Sequence, residues 1–207
     1  MVVPGIGASD VWTGRLRRFL SSIGYSVDGW GLGRNDGDVP KLVPRLVERA
    51  TSLAAEHDVP IRLIGWSLGG YLSREIARER PDLVERVITL GSPIVGGPSY
   101  TSFAARYERR GCNLEKIRAD MLAREEQPIP VPIFSVYSRA DAVVAWRACV
   151  DTFENPHVEH REITASHIGL IVAPRALGLI ATLLERAVPD ASGATSSTGS
   201  VLGSQPI

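Results

Sequence analysis

The sequence contains few cysteines, has no net charge and lacks a long apolar segment. Cys112 and Cys149 are the only cysteines among 207 residues. Two are too few for a disulfide framework, which favours free thiols in a reducing compartment, although a single bridge between them stays open. Because the formal net charge is zero, the composition gives no reason to expect binding to nucleic acid or to anionic lipid. No apolar run approaches the length of a membrane span.

The amino terminus does not have the pattern of a signal peptide. Met1 leads directly into Val2-Val3-Pro4-Gly5, with neither a basic segment nor an apolar segment after it. Together with the predicted free thiols, this favours a cytoplasmic protein. The hydrophobic content of 44% is ordinary for a globular chain, and the length suits one domain with a substantial core.

Short apolar runs alternate with amphipathic segments along the chain. The runs predict strands at 1–3, 25–27, 61–64, 84–90, 133–137 and 158–163. Helices are predicted at 11–23, 40–57, 71–80, 101–110, 114–125 and 173–187. This alternation predicts an α/β fold, with a mostly parallel sheet of about six strands and helices on both faces.

Residues 94–130 form a long insertion between two predicted strands and contain two of the predicted helices. We expect this insertion to fold over the functional site as a lid or cap. Leu114, Ile117 and Met121 share one face of its second helix, and that face would either contact an acyl chain or pack on the body of the domain.

The two ends of the chain differ from the rest. The strand at 1–3 is shorter than the five or six residues, roughly, of a usual strand, so we expect the natural start upstream or a shortened product. From residue 189 the composition changes to Ser, Gly, Thr and Ala, which predicts a disordered tail at 189–207 and a domain at 1–188.

A glycine-serine-glycine pattern lies between a predicted strand and a predicted helix, with the sequence Gly65-Trp66-Ser67-Leu68-Gly69. In that context the turn holds Ser67 above the sheet edge in a strained conformation, and side chains at the glycines would crowd neighbouring backbone. The amide of Leu68 begins the helix and points to where an oxyanion would form. Trp66 either lines a substrate pocket or fills the core. Because the pattern also arises by chance, its interpretation depends on a base and an acid elsewhere.

His167 is the best candidate for the base that activates Ser67. A serine hydroxyl is a poor nucleophile until a base takes its proton, and that base should follow a later strand. Of the four histidines, His57 precedes Ser67 at a helix end, and His157 and His160 lie before or within the last predicted strand. His167 alone falls in the loop after that strand, where the alternative is an ordinary loop histidine.

Asp141 is the best candidate for the acid that orients the base. It is the only carboxylate in the loop after the strand at 133–137, and the order Ser, acid, His follows along the chain. A solvated loop aspartate or a helix cap is the alternative. Asp151 and Glu154 are fallback acids that lie nearer the start of the last strand.

A second oxyanion donor is expected from the turn after the first strand, Pro4-Gly5-Ile6-Gly7. Ile6 is the best candidate because the glycines on both sides let its amide approach closely. The alternative is a tight turn that serves only the connection from strand to helix.

With these residues identified, the chain resembles the α/β-hydrolase superfamily, in particular small bacterial esterase- and lipase-like members. The likeness covers about residues 1–188 and rests on four segments: the turn at 4–9, the elbow at 65–70, the acid loop at 138–144 and the histidine loop at 166–169. It implies hydrolysis through an acyl-enzyme, with no cofactor and no metal. Two departures are the absence of the usual first two antiparallel strands and Pro4 where many members carry His.

The expected partner is a small ester, with lipid-like esters among the candidates, and the sequence does not indicate an oligomeric state. The same three residues would also serve an acyltransferase, a thioesterase or an amidase, because a triad reports acyl transfer but not the leaving group. A non-catalytic binding protein with a hydrolase-like fold is the alternative from a different class.

Overall fold

The computed structural model describes residues 1–186. The predicted tail at 189–207 and the domain end at 188 lie outside the described residues. The sheet has five strands in sequence order, and every neighbouring pair is parallel. They are β1 (Val2–Val3), β2 (Ile61–Trp66), β3 (Val84–Leu90), β4 (Ile133–Tyr137) and β5 (Val158–Glu162).

Seven α-helices connect these strands within residues 1–186. They are α1 (Gly14–Ser22), α2 (Val39–His57), α3 (Leu68–Glu79), α4 (Ala104–Arg109), α5 (Leu114–Glu125), α6 (Gly169–Val172) and α7 (Pro174–Glu185). None of the helices in the described range combines the length and the apolar character needed to cross a membrane.

Helices cover both faces of the sheet because its strands carry apolar residues on both sides. Ile64 and Ile88 belong to the core that also contains buried residues of α1, α6 and α7. Leu63 and Val87, one position earlier on the same strands, belong to the core on the other face with α2 and α3. Since successive strand residues point to opposite faces, two cores form on one sheet and confirm the predicted α/β architecture.

The predicted strand at 25–27 is wrong, so the sheet has five strands rather than six. The amide of Tyr25 donates to the carbonyl of Leu20 at 3.1 Å and completes the end of α1 instead of pairing with a strand. Pairing with β1 is limited to one isolated bridge between Val2 and Gly29. The first helix also begins later than predicted, at Gly14, because the preceding residues form turns.

The insertion follows β3 and carries α4 and α5. The predicted apolar face of α5 packs on the first residues of the insertion itself: a Cβ on Gly97 would lie 2.4 Å from Met121 Sδ and 3.7 Å from Ile117 Cγ2. Met121 is buried accordingly, whereas the neighbouring Leu122 is exposed. The contacts of Ile117 and Met121 with Gly97 therefore lie within the insertion.

Candidate functional site

Ser67 lies between the end of β2 and the start of α3 in a conformation that side chains rarely adopt. Its φ and ψ are 55° and −127°, and it is one of two non-glycine residues with positive φ in the described range, together with Asp58. Its amide donates to the carbonyl of Leu90 at 2.9 Å, which fixes the turn to the end of β3. Such strain persists only where surrounding contacts impose it, and it is common at functional sites.

The glycines around Ser67 allow the backbone to approach closely, as the sequence predicted. A Cβ on Gly65 would lie 2.3 Å from the carbonyl oxygen of Gly69, and one on Gly69 would lie 2.2 Å from that of Val3. These contacts involve backbone, which cannot rotate away. The elbow therefore requires glycine at both positions.

Asp141 and His167 are in direct contact. The Oδ2 atom of Asp141 lies 2.7 Å from Nδ1 of His167, and both side chains are almost fully buried. The other carboxylate oxygen accepts hydrogen bonds from the amides of Val143 and Val144, at 2.8 and 3.0 Å. With the carboxylate held in this way, a proton on Nδ1 of the histidine is favoured and Nε2 is left as a proton acceptor.

Trp66 connects the serine turn to the histidine loop. Its indole Nε1 donates to the main-chain carbonyl of His167 at 3.0 Å, and the two ring centroids are 5.1 Å apart. The residue immediately before Ser67 therefore contacts the imidazole ring of His167. Within residues 1–186 the Ser67 hydroxyl forms no hydrogen bond with His167 or with another group.

Gly91 was not singled out from the sequence but packs against the acid and the base. It follows β3 with a φ of 56°, and a Cβ there would lie 2.9 Å from Asp141 Oδ2 and 3.2 Å from His167 Nδ1. The only signal available in the sequence was a glycine directly after a strand that neighbours the elbow strand. Because any side chain would displace the carboxylate or the imidazole, this position belongs to the site.

The two predicted oxyanion donors lie on either side of the serine, and no acceptor is found for their amides within residues 1–186. A Cβ on Gly5 would lie 2.9 Å from that of Ser67, which places the turn containing Ile6 beside the serine. The amides of Gly7 and Ala8 donate to other main-chain carbonyls, but within residues 1–186 no acceptor is found for the amide of Ile6. Leu68 is the first residue of α3, where amides lack intrahelical partners.

The remaining candidate residues lie in other surroundings. His57 is 3.7 Å from Asp28 at the end of α2. His160 on β5 is 3.0 Å from Asp151, which also contacts the buried Arg74, so this fallback acid is committed to another cluster. Although burial acts in the opposite direction, the hydrogen bond with His160 and the charge of Arg74 lower the pKa of Asp151. Arg74 and its other carboxylate, Glu125, were not identified from the sequence.

A cleft of about 280 Å³ lies beside the Ile6 turn. One wall comes from the amino-terminal loops and the other from α4 and its flanks in the insertion. The lining residues are Ile6, Gly7, Arg34, Asn35, Asp36, Phe103, Arg106, Tyr107 and Arg110. Trp66, which the sequence suggested for substrate contact, is not among them; it is buried and stacks on Trp12. In the described range no group of three or more His, Cys, Asp or Glu side chains is arranged to hold a metal ion.

Solved structures show the same architecture at low sequence identity. A lipase from Bacillus licheniformis superposes with a TM-score of 0.67 at 15% identity, over 88% of this chain and 90% of that one. A monoacylglycerol lipase from Paleococcus ferrophilus gives a TM-score of 0.60 at 15% identity, over 89% and 91% of the two chains. Alpha/beta hydrolase domain-containing protein 10 from mouse gives 0.57 at 19%, over 88% and 86%.

The comparisons of sequence alone give a different result. The chain matches no protein-family model and none of the curated proteins with which it was compared. At identities of 14 to 19%, likeness in three dimensions establishes the architecture and leaves the chemistry to be argued from the site. With its five parallel strands, helices on both faces and serine turn after β2, this chain has the α/β-hydrolase fold.

Proposed function

We propose that this protein is a serine hydrolase that cleaves carboxylic esters through an acyl-enzyme. The observation that carries the proposal is the buried contact of 2.7 Å between Asp141 Oδ2 and His167 Nδ1, beside a serine at a strained strand-to-helix turn. A carboxylate on one nitrogen of an imidazole leaves the other nitrogen to accept a proton, which is the arrangement that nucleophilic serines require.

In the first half of the reaction, Ser67 Oγ attacks the ester carbonyl carbon while Nε2 of His167 takes the hydroxyl proton. The amides of Leu68 and Ile6 donate to the oxyanion of the tetrahedral intermediate. His167 then gives its proton to the departing alkoxide, so that an alcohol leaves and an acyl group stays on Ser67.

In the second half, water attacks the acyl-enzyme and His167 accepts a proton from it. The ester bond to Ser67 breaks, the proton returns to Oγ, and the carboxylic acid leaves. Asp141 remains ionised and stabilises the imidazolium at each stage. The proposed chemistry needs no cofactor.

The Ser67 hydroxyl forms no hydrogen bond with His167 within residues 1–186, and this is compatible with the proposed mechanism. Contacts of catalytic groups are often long without substrate and tighten in the complex. The insertion at 94–130 is proposed as the cap of the site, because its residues 103–110 form one wall of the cleft beside Ile6.

Labelling by a fluorophosphonate probe tests the proposal. The probe forms a covalent bond only with an activated serine, so the expected result is one label on Ser67, found by peptide mass spectrometry, and none on the Ser67→Ala variant. Ser92, two residues after the end of β3, is a matched control, because its hydroxyl is also buried near the elbow and has no hydrogen-bond partner within residues 1–186. An unlabelled Ser67 would contradict the proposal and favour a non-catalytic binding protein.

A further inference from the structure

We infer that the cleft beside Ile6 binds an anionic group, a carboxylate or a phosphate, on the ester substrate. This inference rests on the proposed function and names its substrate class. The cleft is lined by three guanidinium groups, those of Arg34, Arg106 and Arg110, and by a single carboxylate, that of Asp36. The net positive charge of this lining contrasts with the zero net charge of the chain.

Two of the three arginines of the cleft, Arg106 and Arg110, form no ion pair within residues 1–186. Elsewhere the arginines of the buried cluster pair with carboxylates, as Arg74 does with Glu125 at 2.7 Å. Unpaired guanidinium groups that converge on a concavity are suited to carboxylate and phosphate oxygens.

Arg34 and Asp36 occupy the opposite wall and are already partly engaged. Arg34 donates from Nε to the carbonyl of Gly7 at 3.0 Å, which leaves its terminal nitrogens for a ligand and orients the side chain. Asp36 accepts from the amide of Asp38 at 3.1 Å. This carboxylate lowers the positive potential of the cleft without pairing any of its arginines.

Tyr107 adds a neutral donor to the wall formed by α4 and its flanks. Burial raises the pKa of its phenol to about 12, so the hydroxyl keeps its proton at neutral pH. Its Oη is 3.4 Å from where a Cβ on Gly37 would lie, and Ile6 Cδ1 is 2.7 Å from the same point. The Tyr107 hydroxyl and the side chain of Ile6, in the proposed oxyanion turn, therefore both lie against Gly37.

The cleft and the serine are connected through two adjacent residues of one turn. Ile6 lines the cleft, and the residue before it, Gly5, packs on the Cβ of Ser67. The volume of about 280 Å³ is just below the roughly 300 to 1,000 Å³ of typical ligand pockets. A cleft of this size takes a small charged group and is too small for a long acyl chain.

Matched pairs of esters test the inference. We would measure kcat/KM for p-nitrophenyl hemisuccinate against p-nitrophenyl butyrate, and for 4-carboxyphenyl butyrate against phenyl butyrate, so that the charge is on the acyl side or on the alcohol side. The expected result is a higher value for the anionic member of at least one pair, with a preference that falls as salt is added. Inhibition by inorganic phosphate compared with succinate distinguishes the two kinds of anion.

Substitutions in α4 and at its end assign the preference to the cleft. Arg106→Gln and Arg110→Gln are each expected to lower the ratio of anionic to neutral kcat/KM by about fivefold, the effect of about 1 kcal/mol for one charge pair near 4 Å in water. Arg109→Gln is the matched control, because this exposed arginine lies on the same helix and does not line the cleft. Asp36→Asn, which keeps an oxygen for the amide of Asp38, is expected to raise the ratio.

The outcomes separate this inference from the proposal on which it rests. If Ser67 is labelled but both ester pairs show no preference for the anion, or Arg106→Gln and Arg110→Gln leave the ratio unchanged, the inference alone is wrong. If Ser67 is not labelled, the hydrolase proposal fails and the inference fails with it. The exposed positions of both arginines make loss of folding an unexpected result, and circular dichroism of each variant checks this.

Discussion

The indole Nε1 of Trp66 donates a hydrogen bond of 3.0 Å to the main-chain carbonyl of His167. The residue before the proposed nucleophile thus contacts the loop that carries the proposed base, and the two rings also lie against each other at a tilt of 38°. Because the donor is buried, losing it leaves a carbonyl without a partner, which costs about 1 to 3 kcal/mol. We propose from this contact that Trp66 positions the histidine loop.

Trp66→Phe should lower kcat by about tenfold and leave KM nearly unchanged, because the histidine loop loses its anchor while the cleft is untouched. Steady-state kinetics with a p-nitrophenyl ester measure both constants. Trp12→Phe is the control, since Trp12 is half exposed and contacts Trp66 only by stacking. If kcat of Trp66→Phe equals that of the unsubstituted protein, this hydrogen bond does not position the base.

Substitutions of two histidines should affect two different properties, catalysis in one case and stability in the other. His167→Ala should reduce kcat by at least about a thousandfold because the proposed base is removed. His160→Ala should keep most of the activity but lower the free energy of unfolding by about 1 to 3 kcal/mol, since buried Asp151 loses a hydrogen-bond partner. Ester hydrolysis and urea denaturation measure the two effects. Loss of activity in His160→Ala but not in His167→Ala would show that the base had been assigned to the wrong histidine.

Alanine at two helical glycines should separate close packing from helix propensity. Gly69→Ala should prevent stable folding or cost several kcal/mol, because its Cβ would overlap the carbonyl of Val3. Gly178→Ala in α7 has nothing within 4 Å and should stabilise the protein by about 0.5 to 1 kcal/mol. Thermal denaturation measures the melting temperatures of the two variants. Equal melting temperatures for both variants would contradict the close approach of α3 to β1.

The two cysteines should differ in reactivity by a large factor. Burial raises the pKa of the Cys149 thiol to about 12, so at pH 8 only about one molecule in ten thousand carries the reactive thiolate there. Cys112 is partly exposed. A thiol-specific disulfide reagent should therefore modify one equivalent in the native protein and the second only in denaturant, with the fast phase absent from Cys112→Ser. Two fast equivalents would contradict the burial of Cys149.

Local patterns in the sequence were sufficient to predict most of the strands and helices and the serine turn. The strands at 84–90 and 133–137 have the predicted bounds because their apolar runs are long and end at turns. The prediction at 25–27 failed because the backbone of Tyr25 is used by the end of α1, which apolar content does not reveal. An element that depends on a neighbour for its hydrogen bonds cannot be predicted from its own residues alone.

The sequence by itself determined the order of strands and helices, the glycines of the elbow, and the acid and histidine loops as the places to look. These features depend on side-chain periodicity and backbone conformation over a few residues, so they are legible locally. Only the tertiary structure decided that Asp141 reaches His167, that Gly91 packs against both, that Arg74 is buried among carboxylates, and that three arginines share one cleft. The physical reason is that each of these contacts joins residues far apart in the chain, and their distances are set by how the strands align and how the helices pack on them.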